Sequence, residues 1–205
     1  MTAALRKTRK LRKNGPNGET PDDKLEFLRG FLSKPKEVGS IIPSSRFLER
    51  RIIRCADVAG AKVVVELGPG TGGTTRALLR AMAPDARLFA IEINPRFCEH
   101  LSRNLRDQRL TVLEGSASDV GPLLAAEGID GADVVLSGIP FSTMPRPIGI
   151  GILTSIRAAL RPGGRFVAYQ FRDRVEGLGK AVFGSPQIQT EIRNVPPMRV
   201  YTFAR

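Results

Sequence analysis

Two carboxylates bracket a glycine-rich turn in the first half of the chain. Glu66 lies in Val63-Val64-Val65-Glu66-Leu67-Gly68-Pro69-Gly70-Thr71-Gly72-Gly73, and Glu92 follows Leu88-Phe89-Ala90-Ile91. Glycines in such a turn let backbone approach a ligand closely and leave the N–H groups opening the next helix free to point at it. The spacing is G-x-G-x-G rather than the G-x-G-x-x-G of a dinucleotide fingerprint, and the absence of Gly-Lys-Ser/Thr excludes a P-loop. An acid at 66 opposes a pyrophosphate and suits a cationic ligand. Glu92, at the end of the next strand, can accept from the paired hydroxyls of a sugar. Alone it reads equally well as a solvated loop acid; beside Glu66 and the glycines it reads as part of a cofactor site.

The elements that position these groups follow from periodicity. Val63–Val65 is a β-branched run for a buried strand, and Thr74 to Met82 is helical, with Leu78, Leu79 and Met82 on one face. Asn94-Pro95 caps a helix carrying Phe97, Leu101 and Leu105. His100 on that helix reads as a surface residue and Cys98 as a core thiol. Leu110–Leu113 and Asp133–Leu136 are further strands; Ile148, Ile152, Leu153, Ile156 and Leu160 give a buried helix face ended by Arg161-Pro162-Gly163-Gly164. Arg165–Phe171 is the fifth strand, with Phe171 expected in the core. Strands at about 187–193 and 199–203 close the chain as a hairpin around Asn194-Val195-Pro196-Pro197. Strands alternating with helices predict an α/β fold, a seven-stranded mostly parallel sheet with helices on both faces.

The 205 residues carry a formal net charge of +12, and six of those charges, Arg6, Lys7, Arg9, Lys10, Arg12 and Lys13, precede the first acid, Glu19. This favours an anionic partner, nucleic acid or an anionic membrane surface. Residues 1–19 read as a disordered basic tail, and 20–60 as N-terminal helices ahead of a domain over 61–205. The first of these helices, over 21–33, is amphipathic through Leu25, Leu28 and Leu32 with Phe27 and Phe31 beside them. It reads as a membrane-surface anchor or as a lid packed on the domain, and the two can coexist. Cys55 and Cys98 form neither a disulfide framework nor a metal pattern, so no metal is expected. No run approaches the roughly 18 apolar residues of a membrane span. The expected setting is therefore cytoplasmic, peripheral to the inner face of the membrane, with oligomeric state left open.

The stretch Glu66-Leu67-Gly68-Pro69-Gly70-Thr71-Gly72 resembles motif I of class I S-adenosylmethionine-dependent methyltransferases. Together with Phe27-Leu28-Arg29, Lys34-Pro35, Val38-Gly39-Ser40-Ile41-Ile42-Pro43-Ser44 and Asn194-Val195-Pro196-Pro197, it resembles the bacterial phospholipid N-methyltransferases, which act on phosphatidylethanolamine or ornithine lipids. The resemblance implies a Rossmann-like fold and S-adenosylmethionine as cofactor, with S-adenosylhomocysteine as product. It implies that Glu66, Gly68, Gly70 and Gly72 hold the methionine end, Glu92 and Ile93 the ribose, and Ser116 and Ala117 the adenine, with Ser137 also at the cofactor. Relatives usually have Asp where this chain has Ser116, with Asp119 three residues on. Ile139, Pro140 and Phe141 would shape the transfer channel; Phe141, Tyr169 and Phe171 could face the amine, with core packing the alternative for each and the favoured one for Phe171, and Tyr169 or water would act as base. Base-amine methyltransferases resemble Ser137-Gly138-Ile139-Pro140-Phe141 but usually begin with Asn or Asp, which favours a lipid over nucleic acid. The runner-up is a methyltransferase for ribosomal RNA or another nucleic acid, and a third reading is a non-catalytic membrane- or RNA-binding protein.

Overall fold

A computed structural model describes residues 45–205; the tail over 1–19, the helix over 21–33 and the stretch over 38–44 lie outside the described residues. The first described helix, α1 (Arg46–Ala56), is opened by Ser45, whose hydroxyl accepts from the Leu48 N–H. Alternating strands and helices follow: β1 (Val63–Leu67), α2 (Gly73–Ala81), β2 (Arg87–Glu92), α3 (Pro95–Asn104), β3 (Leu110–Glu114), α4 (Val120–Ala126) and β4 (Ala132–Ser137). Then come α5 (Arg146–Ala159), β5 (Leu160–Gln170), α6 (Arg174–Phe183), β6 (Gln187–Glu191) and β7 (Met198–Ala204).

The strands form one sheet in the order β3-β2-β1-β4-β5-β7-β6. β1 to β5 run parallel, and β7 runs antiparallel to both of its neighbours. Alternate residues of the strands feed two cores, as the period-two geometry of a sheet covered on both faces demands. Val63, Val65, Leu67, Phe89, Val135, Phe166 and Phe203 pack under α4, α5 and α6. Val64, Leu88, Val134, Leu136, Val167 and Val200 pack under α1 and α2. α1, grouped on sequence grounds with the N-terminal helices, contributes Leu48, Ile52, Cys55 and Ala56 to this second core.

Three details differ from the sequence reading. Leu160 does not end the preceding helix but opens β5, pairing with Ala132 before the register shifts at Val134 and Arg165. The intervening turn is possible because Gly163 adopts φ +78° and a Cβ at Gly164 would lie 2.9 Å from the Arg161 carbonyl. α6 was not foreseen. Phe171, expected in the core, is 53% exposed, because β5 ends one residue earlier at the Gln170–Arg199 pair.

Candidate active site

The chain leaves β1 toward one side of the sheet for β2 and β3, then returns to β4 on the other side of β1. Open α/β sheets bind ligands at the carboxyl ends of the strands beside such a switch. Glu66, the glycine turn, Glu92, Ser116 and Ser137 all lie at that end.

Glu66 is buried, 1% exposed, and one carboxylate oxygen, Oε2, accepts from the Thr75 hydroxyl at 2.6 Å. The other, Oε1, is buried without a hydrogen-bond partner. Such an atom stays protonated or awaits a donor. Burial, opposed by Thr75 and reinforced by the nearby Glu92 charge, raises the Glu66 pKa to about 7. Three glycines follow in the left-handed region, Gly68 at φ +70°, Gly70 at +55° and Gly72 at +81°. At Gly72 a Cβ would also stand 2.7 Å from the Leu101 side chain, so glycine is required there twice over.

The turn is tied to its neighbours. The Gly70 N–H donates to Glu92 Oε2 at 3.1 Å, and the Asn94 N–H donates to Glu92 Oε1 at 2.9 Å. Gly68 donates to the Ile91 carbonyl, and Gly138 donates to the Leu67 carbonyl at 3.1 Å. Burial raises the pKa of Glu92, opposed by these N–H donors. The result is a preorganised cradle. A buried acid with one unsatisfied oxygen and a second acid held by backbone amides suit a ligand bearing a cation and neighbouring hydroxyls.

The remaining expected residues divide. Ile93 and Ala117 are buried and join the core under α4 and α5. The Ser116 hydroxyl accepts from the Ser118 N–H at 3.2 Å and shares a 2.7 Å hydrogen bond with the Ser118 hydroxyl, so it stabilises its own turn. Ser137 is fully buried, and its hydroxyl accepts from the Ile139 N–H at 3.2 Å. Ile139 is nearly buried against Gly68, and its carbonyl accepts from the Gln170 side-chain amide.

Two aromatic expectations are corrected. Phe141 does not face an amine: it is fully buried, its ring edge-on to Phe166 at 6.4 Å. Tyr169 does not suit a base. Its hydroxyl lies 3.4 Å from Thr74 Oγ1, and burial together with the Glu66 charge pushes its pKa far above the usual range. Gly138 permits that placement, since a Cβ there would meet the Tyr169 oxygen at 2.6 Å. His100 is exposed, 3.3 Å from the Asn104 amide. The buried cysteine is Cys55, whereas Cys98 is only partly buried.

Sequence reasoning missed Thr74, Thr75 and Gln170. The nine-residue step from Glu66 to Thr75, one turn into a helix that begins at the glycines, was the available signal.

The fold and this cradle define a Rossmann-like methyltransferase. A family model for the methyltransferase domain matches residues 64–164. The chain is 30% identical over 177 residues to an ornithine lipid N-methyltransferase of Singulisphaera acidiphila, covering 85% of this chain and 92% of that protein. It is 32% identical over 147 residues to ribosomal RNA small subunit methyltransferase A of Leifsonia xyli, but spans only 49% of that protein's length. The structure of Burkholderia thailandensis 1,6-didemethyltoxoflavin-N1-methyltransferase superposes with a TM-score of 0.64 at 20% identity, over 95% of this chain and 93% of that one. The chain belongs to the class I S-adenosylmethionine-dependent methyltransferases, and S-adenosylmethionine is its cofactor. The unsatisfied Glu66 oxygen and the positive-φ glycines fit that molecule, which carries an ammonium and a sulfonium and no phosphate.

Proposed function

We propose that the protein transfers methyl groups from S-adenosylmethionine to the amine of a membrane-lipid headgroup. The observation that carries this reading is the 30% identity to the Singulisphaera protein, which extends over nearly the whole of both chains rather than over the glycine turn alone. That protein's name puts an ornithine lipid beside phosphatidylethanolamine as the headgroup to test. Ser137 supports a lipid amine over a nucleic-acid base. Its hydroxyl is committed to the Ile139 N–H and lacks the planar acceptor geometry that an Asn or Asp side chain offers an exocyclic amine.

In this reading Glu66 and the glycine turn hold the methionine end, Glu92 and Ile93 the ribose, and the Ser116-Ala117 backbone the adenine. Bound S-adenosylmethionine supplies a methyl group activated by its sulfonium. The protein positions the amine in line with the methyl group after the ammonium has lost its proton. Tyr169 is held protonated, so water takes that proton and the Tyr169 ring borders the amine. Phe171 offers a face to an ammonium that still binds after one or two methyls are added. The setting is peripheral, at the inner face of a membrane. A nucleic-acid substrate is favoured by a different observation, the similarity to the ribosomal RNA enzymes, of which the chain spans about half.

The test is methyl incorporation from labelled S-adenosylmethionine, with phosphatidylethanolamine micelles, ornithine-lipid micelles and ribosomal RNA supplied separately. Label in a lipid extract is expected and selects the headgroup. Label in RNA alone overturns the proposal.

A further inference from the structure

Among the described residues four large hydrophobic side chains are exposed, and three of them stand at the active-site end of the sheet. Phe171, 53% exposed, follows the last residue of β5, while Ile192 and Val195, 74% and 88% exposed, lie in the turn between β6 and β7. The register fixes their common end. Gln170, at the carboxyl end of β5, pairs with Arg199 at the start of β7, so the turn preceding β7 projects beyond the same edge as Glu66 and Glu92.

The turn is held rigidly. Asn194 between the exposed residues is buried; its Oδ1 accepts from the Ser45 N–H at 3.0 Å, and its amide donates to the Pro196 carbonyl at 2.9 Å. Glu191 is closed off by Arg51 and Arg193, at 3.0 and 2.8 Å. Arg193 also lies over the Phe47 ring at 4.3 Å, with Arg46 over the same ring at 4.9 Å. Arg46, Arg50 and Arg193 are exposed beside the turn around Phe47, and Arg172 and Arg174 are exposed after Phe171, with Asp173 between them paired to Arg199 at 3.6 Å. Rigid aliphatic side chains flanked by guanidinium groups match the boundary of an anionic bilayer, where apolar tips enter the acyl region and arginines meet phosphates. At the turn itself the exposed apolar side chains, Ile192 and Val195, are aliphatic and offer no π face to a nucleic-acid base, which favours lipid over RNA there.

We propose that the β6–β7 turn, with Phe171, is a membrane-inserting rim that seats the active-site end of the protein on an anionic bilayer. This rests on the lipid-methyltransferase reading above and adds the surface by which the substrate is reached. It is separate from the basic tail.

The chain contains no tryptophan, so Val195→Trp in the full chain introduces a single reporter. On mixing with vesicles of phosphatidylglycerol and phosphatidylcholine its emission shifts to the blue and is quenched by brominated acyl chains. Arg103→Trp, at the far end of α3, serves as control and does not shift. The double variant Ile192→Asp/Val195→Asp loses about tenfold in vesicle affinity while binding S-adenosylhomocysteine as before, which reports an intact fold and cofactor site. An unshifted indole at position 195 on vesicle-bound protein, or unchanged affinity of the double variant, overturns the rim. Failure of the unaltered chain to bind vesicles does so too. Lipid labelling in micelles is read separately: label there with no rim contact defeats only this inference, and no lipid label defeats the function on which it rests.

Discussion

At the scale of single residues the chemistry turns on Glu66. Its pKa of about 7 lies above the ordinary 4.5, so the folded state binds a proton more tightly than the unfolded chain, and stability is lost as pH rises from about 4.5 through 7. The loss above that window is about 3 kcal/mol by linkage. Glu66→Gln therefore melts higher than the parent at pH 8 without cofactor and near it at pH 5, as differential scanning fluorimetry will show. Binding of a cationic ligand to the ionised carboxylate carries the opposite sign. Cofactor affinity rises severalfold between pH 6 and 7 as the carboxylate ionises, and Glu66→Gln removes both this slope and roughly tenfold or more of the affinity in calorimetry. Glu66 and the glycines were legible because an acid at a strand end and three special backbone positions in five residues have few other uses. Phe141 was less legible for the converse reason: an aromatic near a strand end is demanded equally by a core and by a substrate channel, and only its packing against Phe166 puts it in the core, while for Tyr169 the burial and the 3.4 Å approach to Thr74 disfavour a base.

At the scale of elements the key joint is between α1 and the β6–β7 turn. Asn194 bridges it, and Asn194→Ala leaves the Ser45 N–H and the Pro196 carbonyl without their partners. That costs about 2 kcal/mol and lowers the melting temperature by roughly 6 °C. Asn194→Asp, which keeps the acceptor but not the donor, recovers part of the loss. The motif Asn194-Val195-Pro196-Pro197 was readable only as a resemblance, since its use depends on Ser45, 149 residues away. α6 escaped notice because Gly177 and Gly179 dilute its helical signal, although Val175 and Leu178 carried the buried spacing. The structure gives one of those glycines a reason: a Cβ on Gly179 would collide with the Phe203 ring. Gly179→Ala gains helix propensity yet destabilises the protein by about 1 to 3 kcal/mol through overpacking, in thermal or urea unfolding. Gly177, with open space around it, tolerates alanine.

At the scale of the whole molecule the parallel sheet and its terminal hairpin followed from the alternation of apolar runs, while the placement of charge relative to the active-site end required the register. The net +12 divides equally between the first eighteen residues and the remainder, so the proposed seating on an anionic surface draws on two basic regions, the tail and the arginines near the β6–β7 turn. Charge and apolar burial respond differently to salt. Charge attraction contributes about 1 kcal/mol per basic residue near an anionic surface and is screened over about 10 Å at 0.1 M salt, whereas burial of Ile192 and Val195 is not screened. Replacing Arg6, Lys7, Arg9, Lys10, Arg12 and Lys13 by Gln in the full chain is expected to weaken vesicle binding at least a hundredfold in 20 mM salt, and the difference collapses to a few-fold in 0.5 M salt. The loss in an uncharged tip variant, Ile192→Ser/Val195→Ser, which removes apolar burial without adding charge, persists at both. Vesicle cosedimentation across that salt range separates the contributions; a tail effect that survives 0.5 M salt, or a tip effect that vanishes there, would show that the division of labour runs the other way.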